Sequence, residues 1–150
     1  MKPVLLVVED AIEYAEFARL FLSDVADLRT AQSGAEALAV LGRDHVDAVL
    51  MDLRFDRSPR EALIGNVDDL AKELFGGDRE RAARYMQDQQ GALIVAEIRA
   101  RGHKQPIVFV HDFPGRRLSN LRRLYGEVFA VPSFDAAAIR QILGLRPTAA

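Results

Sequence analysis

Cysteine is absent from this chain of 150 residues, which excludes disulfides, zinc–thiolate centres and thiol catalysis. Excess charge is nearly absent too: the formal net charge is −2, which argues against a nucleic-acid-binding domain. Long apolar runs are missing, and the opening MKPVLLVVED turns acidic too soon for a signal peptide or a membrane span. A cytoplasmic protein with neither a membrane nor a nucleic acid as partner is therefore the default expectation. No linker, low-complexity tract or repeat divides the chain. One domain over residues 1–145 is expected, with a flexible tail, RPTAA, at 146–150. At 49% hydrophobic and 28% charged residues the composition is that of a folded globular domain.

Two short apolar runs carry the most information. Val4 to Val8 is unbroken and stops at Glu9-Asp10; Val46 to Met51, with Asp47 its only polar residue, stops at Asp52. Bounded runs of this kind read as buried strands of a parallel sheet covered by helices on both faces. If the two strands run parallel, Glu9, Asp10 and Asp52 emerge at one carboxyl edge, where open α/β sheets place their ligands. Three carboxylates converging there repel one another and raise at least one pKa unless a cation neutralises them. An oxygen-only set suits Mg²⁺.

The remaining pattern fits the same architecture. Ala11 to Leu22 is amphipathic, Asp27 to Thr30 is extended, and Ser33 with Glu36 forms a capping box before a helix through Leu41. Gly91 to Arg101 reads as a helix ended by Gly102, and Pro106 to Val110 as a buried strand. Arg117 to Leu124 is a short basic helix, Val128 to Val131 a last strand, and Asp135 caps a last helix to Leu143. Strands alternating with helices imply a doubly wound, five-stranded parallel sheet with right-handed crossovers. The segment at about 54–90 interrupts this rhythm. Ser58-Pro59-Arg60-Glu61 predicts a cap opening a helix that ends near Gly76-Gly77, and Asp78 predicts a second helix from Arg79 to Gln89. This inserted helical hairpin follows Asp52 directly. Leu63, Val67, Leu70, Leu74 and Phe75 recur at helical spacing and are expected to bury against Ala82, Tyr85 and Met86, against the domain, or in a homodimer. The hairpin is expected beside the carboxyl edge, partly covering it.

The pattern VLLVVED, AVLMDL, PIVFV and VPSF resembles the receiver domain of bacterial two-component response regulators, over nearly the whole chain outside the insertion. The resemblance implies a flavodoxin-like fold with strand order 2-1-3-4-5. It implies Asp52 as phosphoacceptor and Glu9, Asp10, Asp52 and the backbone carbonyl of Arg54 as the Mg²⁺ set. It implies a histidine kinase or phosphotransfer protein and a downstream protein as partners, and no enzymatic turnover of the chain's own. The fourth-helix face, with Arg116, Arg117, Arg122 and Arg123, is the implied partner face, although solvated arginines account for the same pattern.

Two of the family's working residues differ. The Thr or Ser at the end of the fourth strand is His111 here, followed by Asp112, and the lysine at the end of the fifth strand is Val131, followed by Pro132. The aromatic switch position falls on Val128. A transferring phosphoryl group needs its spread negative charge held and neutralised. Here His111 offers a hydrogen bond and, as imidazolium, a charge, while Arg54, Arg57, Arg60 and Lys72 of the insertion offer cations. Two functions follow. One is an atypical single-domain response regulator phosphorylated on Asp52 with Mg²⁺, signalling through protein contacts. The other is a pseudo-receiver, a phosphorylation-independent adaptor. A Mg²⁺-dependent phosphohydrolase with Asp52 as nucleophile fits less well, because Arg54 stands where such enzymes carry a second aspartate. A mixed site of His111 with the acids for Mn²⁺ or Zn²⁺ rests on one histidine.

Overall fold

The computed structural model describes residues 2–145. Five parallel strands, β1 (Val4–Val8), β2 (Asp27–Ala31), β3 (Ala48–Met51), β4 (Ile107–Val110) and β5 (Val128–Val131), form one sheet in the order β2-β1-β3-β4-β5. The register pairs Val8 with Met51 and Met51 with Phe109, so β1 and β3 end level and β4 runs one residue further. Seven α-helices surround it: α1 (Glu13–Phe21), α2 (Gly34–Arg43), α3 (Val67–Leu74), α4 (Arg79–Asp88), α5 (Gln90–Ala100), α6 (Gly115–Tyr125) and α7 (Ala136–Leu143). The flavodoxin-like topology expected from the sequence is the one observed.

Alternation along the strands divides the core in two. Leu5, Val7, Leu50 and Val108 face α1 and α7, where Phe17, Leu22 and Ile139 bury against them. Leu6, Val8, Val49, Met51, Ile107 and Phe109 face the other way, toward α2, α5 and Leu121 of α6. Neither side of β3 sees water, which is why its run is continuously apolar.

The insertion enlarges the second core. Phe55, Leu63 and Met86 are buried in it, with Val67 and Leu70 packed alongside, while Leu74 stays exposed. Phe75 stacks edge-on to Tyr85 at 5.7 Å, closing the hairpin as its spacing suggested. The apolar stripe is thus satisfied largely within one chain. Because α5 is covered by the sheet on one side and the hairpin on the other, it buries Gln90, Gly91, Ala92, Ile94, Val95 and Ile98.

The cap expected at Ser58 is not made. A single 3-10 turn, Arg60–Ala62, follows Pro59 with no side-chain cap, and α3 starts later, where Asn66 accepts from the Asp69 N–H at 3.0 Å. Ser58 is diverted because its N–H and hydroxyl reach Asp10 instead. The caps at Ser33, Asp78 and Asp135 form as expected. The tail expected to be flexible, residues 146–150, lies outside the described residues.

Candidate functional site

Glu9, Asp10 and Asp52 do stand at one carboxyl edge, but their side chains part company there. Glu9 is 3% exposed and turns to the first turn of α1, accepting from the N–H groups of Tyr14 (3.0 Å) and Ala15 (2.7 Å). The residue preceding that helix is Ile12, which supplies no cap. Glu9 therefore satisfies two of the amides that every helix start leaves open, at the positive end of the dipole. Burial holds its carboxyl above the ordinary value, an effect these two N–H groups oppose.

Asp10 turns the other way. Its Oδ2 accepts from the N–H of Arg57 (2.7 Å), the N–H of Ser58 (2.9 Å) and the Ser58 hydroxyl (3.3 Å). The Arg57 guanidinium also donates to Glu13 at 3.1 Å, tying the same turn to α1.

Asp52 follows β3 and is partly exposed. Its Oδ1 lies 3.1 Å from the Tyr14 hydroxyl, which is also 3.1 Å from the carbonyl of Val110. One phenolic proton thus serves two acceptors on neighbouring strands. Burial pushes the Asp52 carboxyl up to about 6, with the Asp10 charge adding to it; the Tyr14 hydroxyl and the N–H groups of Leu53 and Arg54 pull against the rise. The same burial, with Asp52 beside it, raises the Tyr14 phenol. Tyr14 packs edge-on against Phe134 at 4.9 Å.

The backbone beneath Asp52 is held by Gly91. Its N–H donates to the Leu53 carbonyl at 2.9 Å, and a Cβ on it would lie 2.1 Å from the Asp52 carbonyl oxygen. Only glycine lets α5 come this close. The next residue back, Gln90, is fully buried. Its Oε1 accepts from Ile64 N–H (2.7 Å) and its Nε2 donates to the carbonyls of Ile64 (3.0 Å) and Met86 (3.2 Å).

The far half of the edge is built differently. His111 packs its ring edge-on against Phe113 at 4.6 Å, and Phe113 against Phe109 at 5.2 Å. Burial and then Arg54 lower its pKa, with Asp112 opposing, which disfavours the imidazolium charge the sequence allowed. Asp112 is exposed. Val131 is 3% exposed and belongs to the core against α1 and α7, while its carbonyl accepts from His111 N–H at 2.8 Å. On α6, Arg122 donates to the Val128 carbonyl at 2.8 Å and lies over Phe129. Arg117 reaches Gln89 at 3.1 Å and Arg123 reaches Asn120 at 3.0 Å, which leaves Arg116 as the arginine of the four with no hydrogen bond among the described residues.

Among the described residues, no group of three or more Asp, Glu, His or Cys side chains is arranged to hold a metal ion. The convergence expected of Glu9, Asp10 and Asp52 is not present, because Glu9 is turned to α1 and Asp10 to the insertion. The residues as placed do not fit Mg²⁺. Nor does His111 join the acids in a mixed site. Sequence reasoning missed Tyr14, Ser58 and Gln90. A cleft of about 550 Å³ lies within the insertion, between Arg60, Leu63, Val67, Glu80, Ala83 and Met86, away from Asp52.

No family model and no curated protein matches the chain. Solved structures do. A response regulator receiver protein from Pseudomonas putida superposes with a TM-score of 0.63 at 17% identity, covering 96% of this chain and 97% of that one. The chemotaxis protein CheY4 of Vibrio cholerae gives 0.64 at 17% identity, covering 96% and 98%. The signal receiver domain of an HD domain-containing protein from Pseudomonas fluorescens Pf-5 gives 0.64 at 15% identity, covering 96% and 93%. The chain has the fold of response-regulator receiver domains. No helix among the described residues is long and apolar enough to cross a membrane.

Proposed function

We propose that this chain is a receiver-type module of two-component signalling that works through protein–protein contacts without needing a phosphoryl group. The observation that carries this reading is the β4–β5 half of the edge. A phosphoryl group on Asp52 would need a hydroxyl and a cation there. The chain offers a His111 turned onto Phe113, and a Val131 buried in the core. The likeness of fold to receiver domains, end to end, supports a place in such a pathway, with a downstream protein as partner. The exposed Arg116, Arg122 and Arg123 on α6 offer that partner a basic face.

A second reading, phosphorylation of Asp52 by a histidine kinase or phosphotransfer protein, is favoured by one specific observation. Asp52 sits at the end of β3 where receivers carry their acceptor, and it remains partly exposed. Incubation with acetyl phosphate and Mg²⁺, followed by intact-mass measurement, separates the two. The expected result is an unmodified protein. Addition of one phosphoryl group that Asp52→Asn abolishes would establish the second reading instead.

A further inference from the structure

The turn at Arg57–Ser58 does for Asp10 what a divalent cation would otherwise do. Three donors meet one carboxylate oxygen, two of them consecutive backbone N–H groups at 2.7 and 2.9 Å and the third the Ser58 hydroxyl at 3.3 Å. Successive N–H groups aimed at one point form an anion-binding nest. Here the anion is the chain's own side chain, contributed from far away in sequence at the end of β1. We infer that this nest is an internal substitute for the metal ion, and that the insertion thereby closes the acid pocket to divalent cations.

Three features of the geometry carry this. A cation approaching Asp10 meets donors whose partial positive charges already face Oδ2, and the Arg57–Glu13 pair at 3.1 Å fastens the turn to α1. The second acid of the pair is turned away, since both Glu9 oxygens accept from the first turn of α1. Freeing either acid would take the carboxylate acceptor away from N–H groups of the first turn of α1 or of the 57–58 turn. The turn is not free to drift away either. Phe55, just before it, donates its N–H to the Gln87 carbonyl at 2.9 Å and is buried, and Leu63 and Ile64 beyond it pack into the α2–α5 core. The closure is therefore anchored on both sides by the folded hairpin.

The inference goes beyond the signalling reading and does not depend on it: cation exclusion holds or fails whatever the protein's partner is. Its test uses Mn²⁺ as the probe on the ¹⁵N-labelled full chain. Wild-type protein should show no saturable paramagnetic broadening centred on Glu9, Asp10 and Leu53 at millimolar Mn²⁺. Broadening there that Asp10→Asn removes would overturn the inference. Hydrogen exchange reads the nest directly. In Asp10→Ala the Arg57 and Ser58 amides should exchange roughly tenfold faster or more, as expected for losing a hydrogen bond to a charged acceptor. Unchanged exchange at both amides would also overturn it. Finally, Ser58→Pro deletes one N–H and the hydroxyl together, and it should gain at least tenfold in Mn²⁺ affinity at Asp10. A folded Ser58→Pro protein with no gain would show that the turn is not what excludes the ion. If that variant does not fold, the wild-type titration and the Asp10→Ala exchange decide the question.

Discussion

The two halves of the sheet's carboxyl edge have gone different ways. On the β1–β3 side the acids are all present, and each is matched by donors from within the chain: α1 amides for Glu9, the 57–58 turn for Asp10, the Tyr14 hydroxyl for Asp52. On the β4–β5 side the positions that would serve an external anion are occupied by packing, His111 on Phe113 and Val131 in the core. Each half explains the other. With no ammonium or hydroxyl across the edge, charge on the acids must be relieved locally, by N–H groups or by retaining a proton. The elevated Asp52 pKa, about 6, marks the charge that is least relieved: burial resists it, and the carboxyl keeps its proton only below that pH.

The most damaging way to break the acidic half is from beneath. In Gly91→Ala the new methyl carbon would lie 2.1 Å from the Asp52 carbonyl oxygen and 2.9 Å from Leu53 Cα, both backbone atoms that cannot step aside. We expect a loss of about 3 kcal/mol or more, read by chemical denaturation, with the amide signals of Asp52 and Leu53 displaced most. A loss under about 1 kcal/mol would mean that α5 does not hold the strand end.

Next in size is the clamp that fastens the insertion. Gln90→Leu keeps the volume but leaves Ile64 N–H, Ile64 C=O and Met86 C=O without their partners. A loss of about 2–3 kcal/mol is expected. Amide exchange in residues 55–66 should accelerate more than exchange in the strands. Uniform acceleration would show instead that the hairpin and the sheet open as one unit.

Asp52→Asn sharpens the comparison, because it removes the charge the β4–β5 half does not neutralise. The sign follows from the folded value of about 6 against an ordinary 3.8. A raised carboxyl pKa contributes stability that is full below 3.8 and lost as pH rises through about 6. Asparagine never ionises, so the variant should be close to wild type near pH 4 and more stable at pH 8. After discounting for the partial exposure of Asp52 the gain is about 1–2 kcal/mol. Thermal melts at both values measure it; equal differences at both would mean that Asp52 is ionised without cost.

How much of this was legible in the sequence depends on the range of the interaction. Strand order, the acid positions and three of the helix caps were readable, because apolar runs of Val4–Val8 and Val46–Met51 and short cap signals at Ser33, Asp78 and Asp135 act over neighbouring residues. The direction each acid faces was not. Asp10 meets Ser58 across forty-eight positions, and Gln90 meets Ile64 across twenty-six. Ser58 looked like a helix cap because S-P-R-E satisfies the local rule, and a distant carboxylate outbid that rule for the same donors. The spacing of Ile12 from α1 offered one overlooked clue: a helix starting without a polar cap needs an outside acceptor, and Glu9 was within reach.

The smallest expected effect tests the one side chain that joins the two halves. The Tyr14 hydroxyl is equidistant, at 3.1 Å, from Asp52 Oδ1 after β3 and from the Val110 carbonyl on β4, and it has a single proton to give. Tyr14→Phe keeps the ring and its edge contact with Phe134, so the loss should be only about 1 kcal/mol, that of one hydrogen bond. The informative readout is the Asp52 titration followed by carboxyl ¹³C NMR. If the proton points mainly at Asp52, it stabilises the ionised form, and removing it should raise the midpoint above the wild-type value of about 6. The stability lost on ionisation would then shift to higher pH by the same amount. If the proton points mainly at Val110, the midpoint stays where it is and the β4 end loosens instead, seen as faster exchange of the His111 amide that bonds Val131. The first outcome places Tyr14 with the acids, completing a half in which every carboxylate has a donor of its own. The second leaves the ionised Asp52 to the Leu53 and Arg54 amides alone, and makes Tyr14 a structural strut between the strands.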